Sequence, residues 1–124
     1  MTRDNLVGCR ILVVEDETLI AILIEEALQE LGCVVVGPVA RLDAALRLAS
    51  SEALDAAVLD VTIRGGHIQP VAEQLLARGI PFVLASGYGD WSLPETLRDQ
   101  PRLTKPFAQR QLEEQVRKLC RSRS

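Results

Sequence analysis

Short stretches that are apolar throughout alternate along the chain with stretches whose apolar residues recur every three or four positions. The first kind reads as strands buried on both faces, the second as amphipathic helices. The expected strands are Arg10–Val14, Val34–Val39, Ala56–Leu59, Phe82–Ala85 and a short Leu103–Thr104. The expected helices are Thr18–Leu31, stopped by Gly32, then Arg41–Ser50, then Gln69–Ala77 with Pro70 in its first turn, and a final Ala108–Cys120. "VTIRGG", after the third strand, reads as a loop. The Gly- and Pro-punctuated stretch after the fourth strand supports at best a short helix near Glu95–Asp99. The first few residues and the closing "RSRS" read as frayed.

At about 100° per residue, Ile20, Ile24, Ala27 and Leu31 share the inner face of the first helix. Leu42, Ala45, Leu46 and Ala49 do so in the second helix, and Leu112, Val116 and Leu119 in the last. Ile22 projects outward among Glu25, Glu26 and Gln29. A lone outward isoleucine is ordinary, and it is also a candidate docking or dimer contact. Apolar strands separated by helices imply a parallel sheet covered on both faces, and right-handed crossovers make it a five-stranded, doubly wound α/β sheet. In such sheets the chemistry gathers beyond the carboxyl ends of the strands.

Composition narrows the class. The 124 residues make one domain with one core, and 48% hydrophobic against 3% aromatic residues makes that core aliphatic. A net charge of −3 carries no footprint for nucleic acid, and the basic residues Arg110, Arg117, Lys118 and Arg121 of the last helix read as a solvated face. Neither a membrane span nor a signal peptide is expected. Cys9, Cys33 and Cys120 are widely spaced, without a Cys-x-x-Cys pair, and read as reduced, buried thiols of a cytoplasmic protein.

The ends of the expected strands hold the chemistry. Strand one runs into Glu15-Asp16-Glu17, strand three into Asp60, strand four into Ser86, and strand five into Thr104-Lys105-Pro106. Two carboxylates about 4 Å apart repel by roughly 4 kcal/mol at an effective dielectric of 20, so a cation is expected to relieve the cluster. Mg²⁺, or Mn²⁺, suits carboxylate ligands and keeps positions open for a phosphate. Lys105 adds a point charge for an anion and Ser86 a donor, which completes the parts needed to move a phosphoryl group onto a carboxylate.

The stretches "ILVVEDE", "AVLDVTIRGG", "VLASGYG" and "TKPF", in that order, resemble the receiver domain of bacterial two-component response regulators. The resemblance covers essentially the whole chain, residues 1–124, with an ordered core of about 9–121. It implies a flavodoxin-like sheet in the order 2-1-3-4-5, with a short or mobile fourth helix. It also implies Asp60 as the phosphoacceptor, Asp16 as a direct Mg²⁺ ligand and Glu15 as a ligand through water. The backbone carbonyl of Thr62 would be a further ligand. Ser86 and Lys105 would hold the phosphoryl oxygens, and Lys105-Pro106 would be a cis peptide.

"PFVLASGYG" is similar to a narrower subgroup, the FAT GUY receivers, with Phe82 displaced by one, Ser86 in place of threonine and Tyr88 kept. That subgroup resembles regulators served by HWE-type kinases. Receivers usually carry an aromatic three residues before the lysine. Arg102 stands there, which leaves the switch role to Ser86 and Tyr88.

The expected function is that of a single-domain regulator. A sensor histidine kinase, or a small donor such as acetyl phosphate, would phosphorylate Asp60. The chain would not be an enzyme beyond its own phosphorylation and dephosphorylation. It would act as a monomer or weak homodimer through contact with an output or phosphotransfer protein. Two rivals stand beside this reading. One is a receiver-like interaction module that is never phosphorylated. The other is a Mg²⁺-dependent aspartate-nucleophile phosphatase, which "DVT" disfavours because it lacks a second acid. "GYGDWS" only partly mimics a dinucleotide-binding loop, and Glu17 and His67 read as a helix-start charge and a loop residue.

Overall fold

The computed structural model describes residues 6–87 and 93–121. Tyr88 and Trp91 lie outside the described residues, as do residues 1–5 and 122–124, whereas Arg121, the first residue of the closing "RSRS", ends the last helix. The elements are β1 (Arg10–Val14), α1 (Thr18–Glu30), β2 (Val34–Val39), α2 (Leu42–Ser51), β3 (Ala56–Asp60), β4 (Thr62–Ile63), β5 (Gly66–His67), α3 (Gln69–Ala77), β6 (Phe82–Ser86), β7 (Arg102–Thr104) and α4 (Gln109–Arg121). Five of the strands form one parallel sheet in the order β2-β1-β3-β6-β7. This is the 2-1-3-4-5 order of the five expected strands, and the fold is flavodoxin-like.

The central strands β1, β3 and β6 feed both faces. Ile11 and Val13 of β1 pack with Ile24, Ala27 and Leu28 of α1 and with Leu112, Val116 and Leu119 of α4. Leu12 and Val14 pack on the other side with Ala45 and Ala49 of α2 and Val71, Ala72 and Leu75 of α3. The sandwich of helix, sheet and helix explains why the strands carry no polar alternation. Ile11, Leu12, Leu59, Phe82 and Leu84 are fully buried, and each such side chain contributes roughly 1.5–3 kcal/mol. Strand order reverses at β1, so the carboxyl ends of β1 and β3 flank the switch point and bring Glu15 and Asp60 to one crevice.

Several details differ from the sequence reading. The inner face of α1 is Ala21, Ile24, Ala27 and Leu28, while Ile20 and Leu31 are only partly buried. α1 packs against β2 and α4 as well as β1. The "VTIRGG" stretch is an antiparallel hairpin, with Thr62 opposite His67 and Ile63 opposite Gly66. Its turn depends on Gly65 and Gly66, at φ 98° and 140°, a region closed to most side chains. The hairpin is tied to α2 where the Leu42 amide donates to the Arg64 carbonyl at 2.9 Å. Between β6 and β7 the described residues hold one 3-10 turn, Glu95–Leu97, with Leu97 buried. Leu6 is also buried and packs with Cys9 and Ile11.

The cysteine expectation needs correcting. Cys9 and Cys120 form a disulfide across 111 residues, and Cys33 is a buried thiol outside it. Spacing along the chain could not reveal this. The bridge exists because α4 returns over the α1 face of the sheet and ends beside the start of β1. Among the described residues no helix is long and apolar enough to cross a membrane.

Candidate functional site

β3 is buried along its whole length and ends in Asp60, which is 5% exposed. Glu15, directly after β1, is 2% exposed. Parallel pairing of Val14 with Leu59 puts these two carboxylates side by side. Asp16 is half-buried next to them. Ligand oxygens of Glu15, Asp16 and Asp60 all lie within 4.8 Å of one another.

Lys105 enters from the end of β7. Its amide donates to the Ser86 carbonyl at 2.7 Å, which extends the β6–β7 ladder by one bond. Its ammonium lies 2.9 Å from Glu15 Oε1 and donates to Glu15 Oε2 and Asp60 Oδ2, each at 3.1 Å. The next peptide, Lys105–Pro106, is cis, as is Gly37–Pro38. Thr62 donates its amide to Asp60 Oδ1 at 3.3 Å. Ser86, the last residue of β6, is 6% exposed and next to Asp60's partner Ala85.

The electrostatics follow from this crowding. Burial pushes the Asp60 carboxyl up to about 7, helped by its hydrogen bond to Glu15 and the repulsion of the Glu15 charge, while Lys105 pulls the other way. Burial alone would lower the Lys105 ammonium, but the hydrogen bond it donates to Glu15 and the charges of Asp60 and Glu15 outweigh it and raise it. One lysine thus stands against more negative charge than it can balance.

Glu15 Oε1 is the atom that shows this most directly. It is buried and has no hydrogen bond, although the Lys105 nitrogen is close by. This oxygen has the Lys105 ammonium, 2.9 Å away, as its charge partner, and it shares that ammonium with Glu15 Oε2 and Asp60 Oδ2. Together with the neighbouring acids it forms a set of hard oxygen donors suited to Mg²⁺ or Mn²⁺.

Glu17 is more than a helix-start charge. It holds the position before α1 without capping it through its side chain, and its Oε1 is 3.8 Å from the Lys105 ammonium. Its amide donates to Glu15 Oε2 at 3.1 Å, which fixes the turn from β1 into α1. The signal was in the run of three acids, which sequence reasoning divided too cleanly. His67 sits in β5 and its Nδ1 accepts the Gln69 amide at 3.2 Å, so it caps the approach to α3 and stands apart from the acids. Arg102 donates to the Arg98 carbonyl at 3.2 Å, and Arg98 to the Leu93 carbonyl at 3.1 Å, which closes the segment leading into β7. Tyr88, the other expected switch residue, lies outside the described residues.

Among solved structures, the chain is similar to SdrG from Sphingomonas melonis Fr1, at 42% identity over 93% of this chain and 98% of that one, with a TM-score of 0.79. It is similar to a response regulator receiver protein from Sinorhizobium medicae WSM419 at 26% identity, covering 97% and 100% of the two chains, TM-score 0.80. At 24% identity, covering 94% and 100%, TM-score 0.78, it shares its fold with the receiver domain of the sensor histidine kinase PA1611 from Pseudomonas aeruginosa PAO1. That structure has a magnesium ion coordinated in its active-site cleft. No family model matches the chain, and no curated protein does.

Proposed function

We propose that this chain, which belongs to the receiver-domain family of response regulators, accepts a phosphoryl group on Asp60 and signals through the change that follows. The observation that carries the proposal is the Lys105 ammonium joining Glu15 and Asp60 at the mouth of β1 and β3. The donor is a phosphohistidine of a sensor kinase or a small acyl phosphate. An Asp60 carboxylate oxygen attacks phosphorus; with phosphohistidine the phosphorus–nitrogen bond breaks and the imidazole leaves, taking a proton from solvent, and with an acyl phosphate the bond from phosphorus to the acyl oxygen breaks and a carboxylate leaves. The product is an acyl phosphate on Asp60.

Glu15, Asp16, Asp60 and the Thr62 carbonyl would hold Mg²⁺ or Mn²⁺, which offsets the charge of the incoming phosphoryl group. Such a cation also answers the high proton affinity of Asp60, since a protonated carboxyl is a poor nucleophile. Lys105 is placed to pair with a phosphoryl oxygen in exchange for its present carboxylate partners. Ser86, at the adjacent strand end, would donate to a second oxygen and, with Tyr88, would pass the event on.

In this proposal residues 1–124 form one receiver domain, located in the cytoplasm. Its partners are a histidine kinase of the HWE type and an output or phosphotransfer protein, and nucleic acid is not among them. The FAT GUY assignment rests on Phe82 and Ser86 in β6 and on the "LDVTIRGG" hairpin that follows Asp60. A beryllofluoride titration followed by amide NMR tests the reading. Shifts are expected at Asp60, Thr62, Ser86 and Lys105, and only with Mg²⁺ present. A spectrum that stays unchanged with both added would count against it.

A further inference from the structure

We propose that the Cys9–Cys120 bridge is a reversible redox crosslink that sets how firmly the terminal helix α4 is seated. The bridge lies at the amino-terminal end of the sheet, opposite Asp60, and plays no part in phosphoryl transfer. Its two halves are held very differently. Cys9 is pinned by the backbone: its amide donates to the Leu6 carbonyl at 3.0 Å, and its carbonyl accepts from Val34 at 2.8 Å. Cys120 is the penultimate residue of α4, held by helix bonds and by packing with Leu119.

Both sulfurs are inaccessible in the closed structure, since Cys9 and Cys120 are 0% exposed. A reductant therefore reaches them when the fold opens locally, and the end of α4 is the element that carries Cys120. Helix ends open far more readily than core strands. The bridge opposes that opening, so oxidation and helix seating reinforce each other. α4 is anchored at its other end by the segment from Lys105, and between the anchors Leu112 helps line an apolar recess with Ile20 and Ile24 of α1 and with Phe107. Reduction would remove this covalent tie from the carboxyl end of α4.

The chemistry balances with a glutathione couple. The Cys9 and Cys120 thiols lose two protons and two electrons, an Sγ–Sγ bond forms through a mixed disulfide, and glutathione disulfide becomes two molecules of glutathione. Reversal breaks the Sγ–Sγ bond and restores both thiols.

The test equilibrates the intact chain in buffers of varied reduced-to-oxidised glutathione ratio, then alkylates it in denaturant without further reductant. Intact mass distinguishes one adduct, on Cys33, from three, on all cysteines. Amide exchange is followed in parallel, with Cys120→Ser as the permanently open form. The expected result is a population that moves between one and three adducts with the ratio. Exchange over the last turns of α4 should be at least about tenfold faster in the reduced chain and, at every ratio, in C120S. Three adducts at every ratio would mean that no bridge forms. One adduct at every ratio would mean a permanent staple. A bridge that titrates without altering α4 exchange would remove the control of the helix. Each of these overturns the proposal, and the reduced wild-type chain carries the test should C120S fold poorly. No phosphodonor is used, so the outcome is independent of the role of Asp60.

Discussion

The Lys105 ammonium lies 3.1 Å from Asp60 Oδ2 and holds together strand ends that are 45 residues apart in the chain. With its side chain only 14% exposed, this lysine is the cation between two buried acids. Lys105→Met removes the charge and leaves Glu15 and Asp60 facing each other. Breaking one side of a buried pair typically costs about 3–5 kcal/mol, and protonation of Asp60 would reduce that here. A urea midpoint well below wild type is expected in chelator, with much of the loss recovered in Mg²⁺. An unchanged midpoint would mean that the pair contributes nothing to stability.

The pH dependence has a definite sign. The folded-state value for Asp60, about 7, stands above its ordinary value of 3.8, so between these the folded chain binds more protons than the unfolded one. Stability without metal should therefore fall as pH rises from about 4 to about 7, by an amount on the order of 1–3 kcal/mol after allowance for solvent screening. Lys105 acts only at alkaline pH, where the stability from its raised value is lost as it deprotonates. Thermal melts in chelator at about pH 5 and pH 7.5 should show the loss in wild type and a much smaller one in Asp60→Asn. A wild-type melting temperature that rises over this interval would contradict the assignment.

Metal binding should depend on Asp16 more than stability does. Asp16 is half-buried and no ion pair holds it among the described residues, yet its carboxylate is in the cluster of possible ligands. Asp16→Asn should weaken Mg²⁺ binding by about tenfold or more in a calorimetric titration, with a melting temperature close to wild type in chelator. Equal affinity in the two proteins would remove Asp16 from the site.

Gly37 offers a test of the fold near the site. At φ 102°, a Cβ there would stand 2.9 Å from the Val39 amide nitrogen and 3.0 Å from the Val13 carbonyl oxygen, both backbone atoms that cannot turn aside. Gly37→Ala is expected to cost about 2 kcal/mol or more. Gly79 has φ 71° and open space around it, so Gly79→Ala should cost only the backbone term, about 1 kcal/mol. Equal losses in denaturant melts would show that the contacts at Gly37 can yield.

The strand order and the meeting of Glu15, Asp16, Asp60 and Lys105 were legible because each motif ends a strand of the parallel sheet, with those before Glu15 and at Asp60 buried along their length. In a doubly wound sheet such ends have one place to go. Two things were not legible for physical reasons. The Cys9–Cys120 bridge depends on where α4 lands over the sheet, a tertiary fact that local pattern does not carry. The β4–β5 hairpin is two residues a side, below the length at which alternation can be read, and its glycines signal a turn without saying what flanks it. Glu17 fell between the two cases: its charge was visible, but its distance to Lys105 was not.

The most direct test of the central claim is the intact mass of the chain after incubation with acetyl phosphate and Mg²⁺, beside Asp60→Asn and a chelator control. One added phosphoryl group is expected on the wild-type chain, and none on D60N or in chelator. A phosphoryl group retained by D60N would place the acceptor elsewhere. A wild-type chain that stays unmodified under rapid quench, and is also silent to beryllofluoride, would contradict the claim that this chain is a phosphoacceptor.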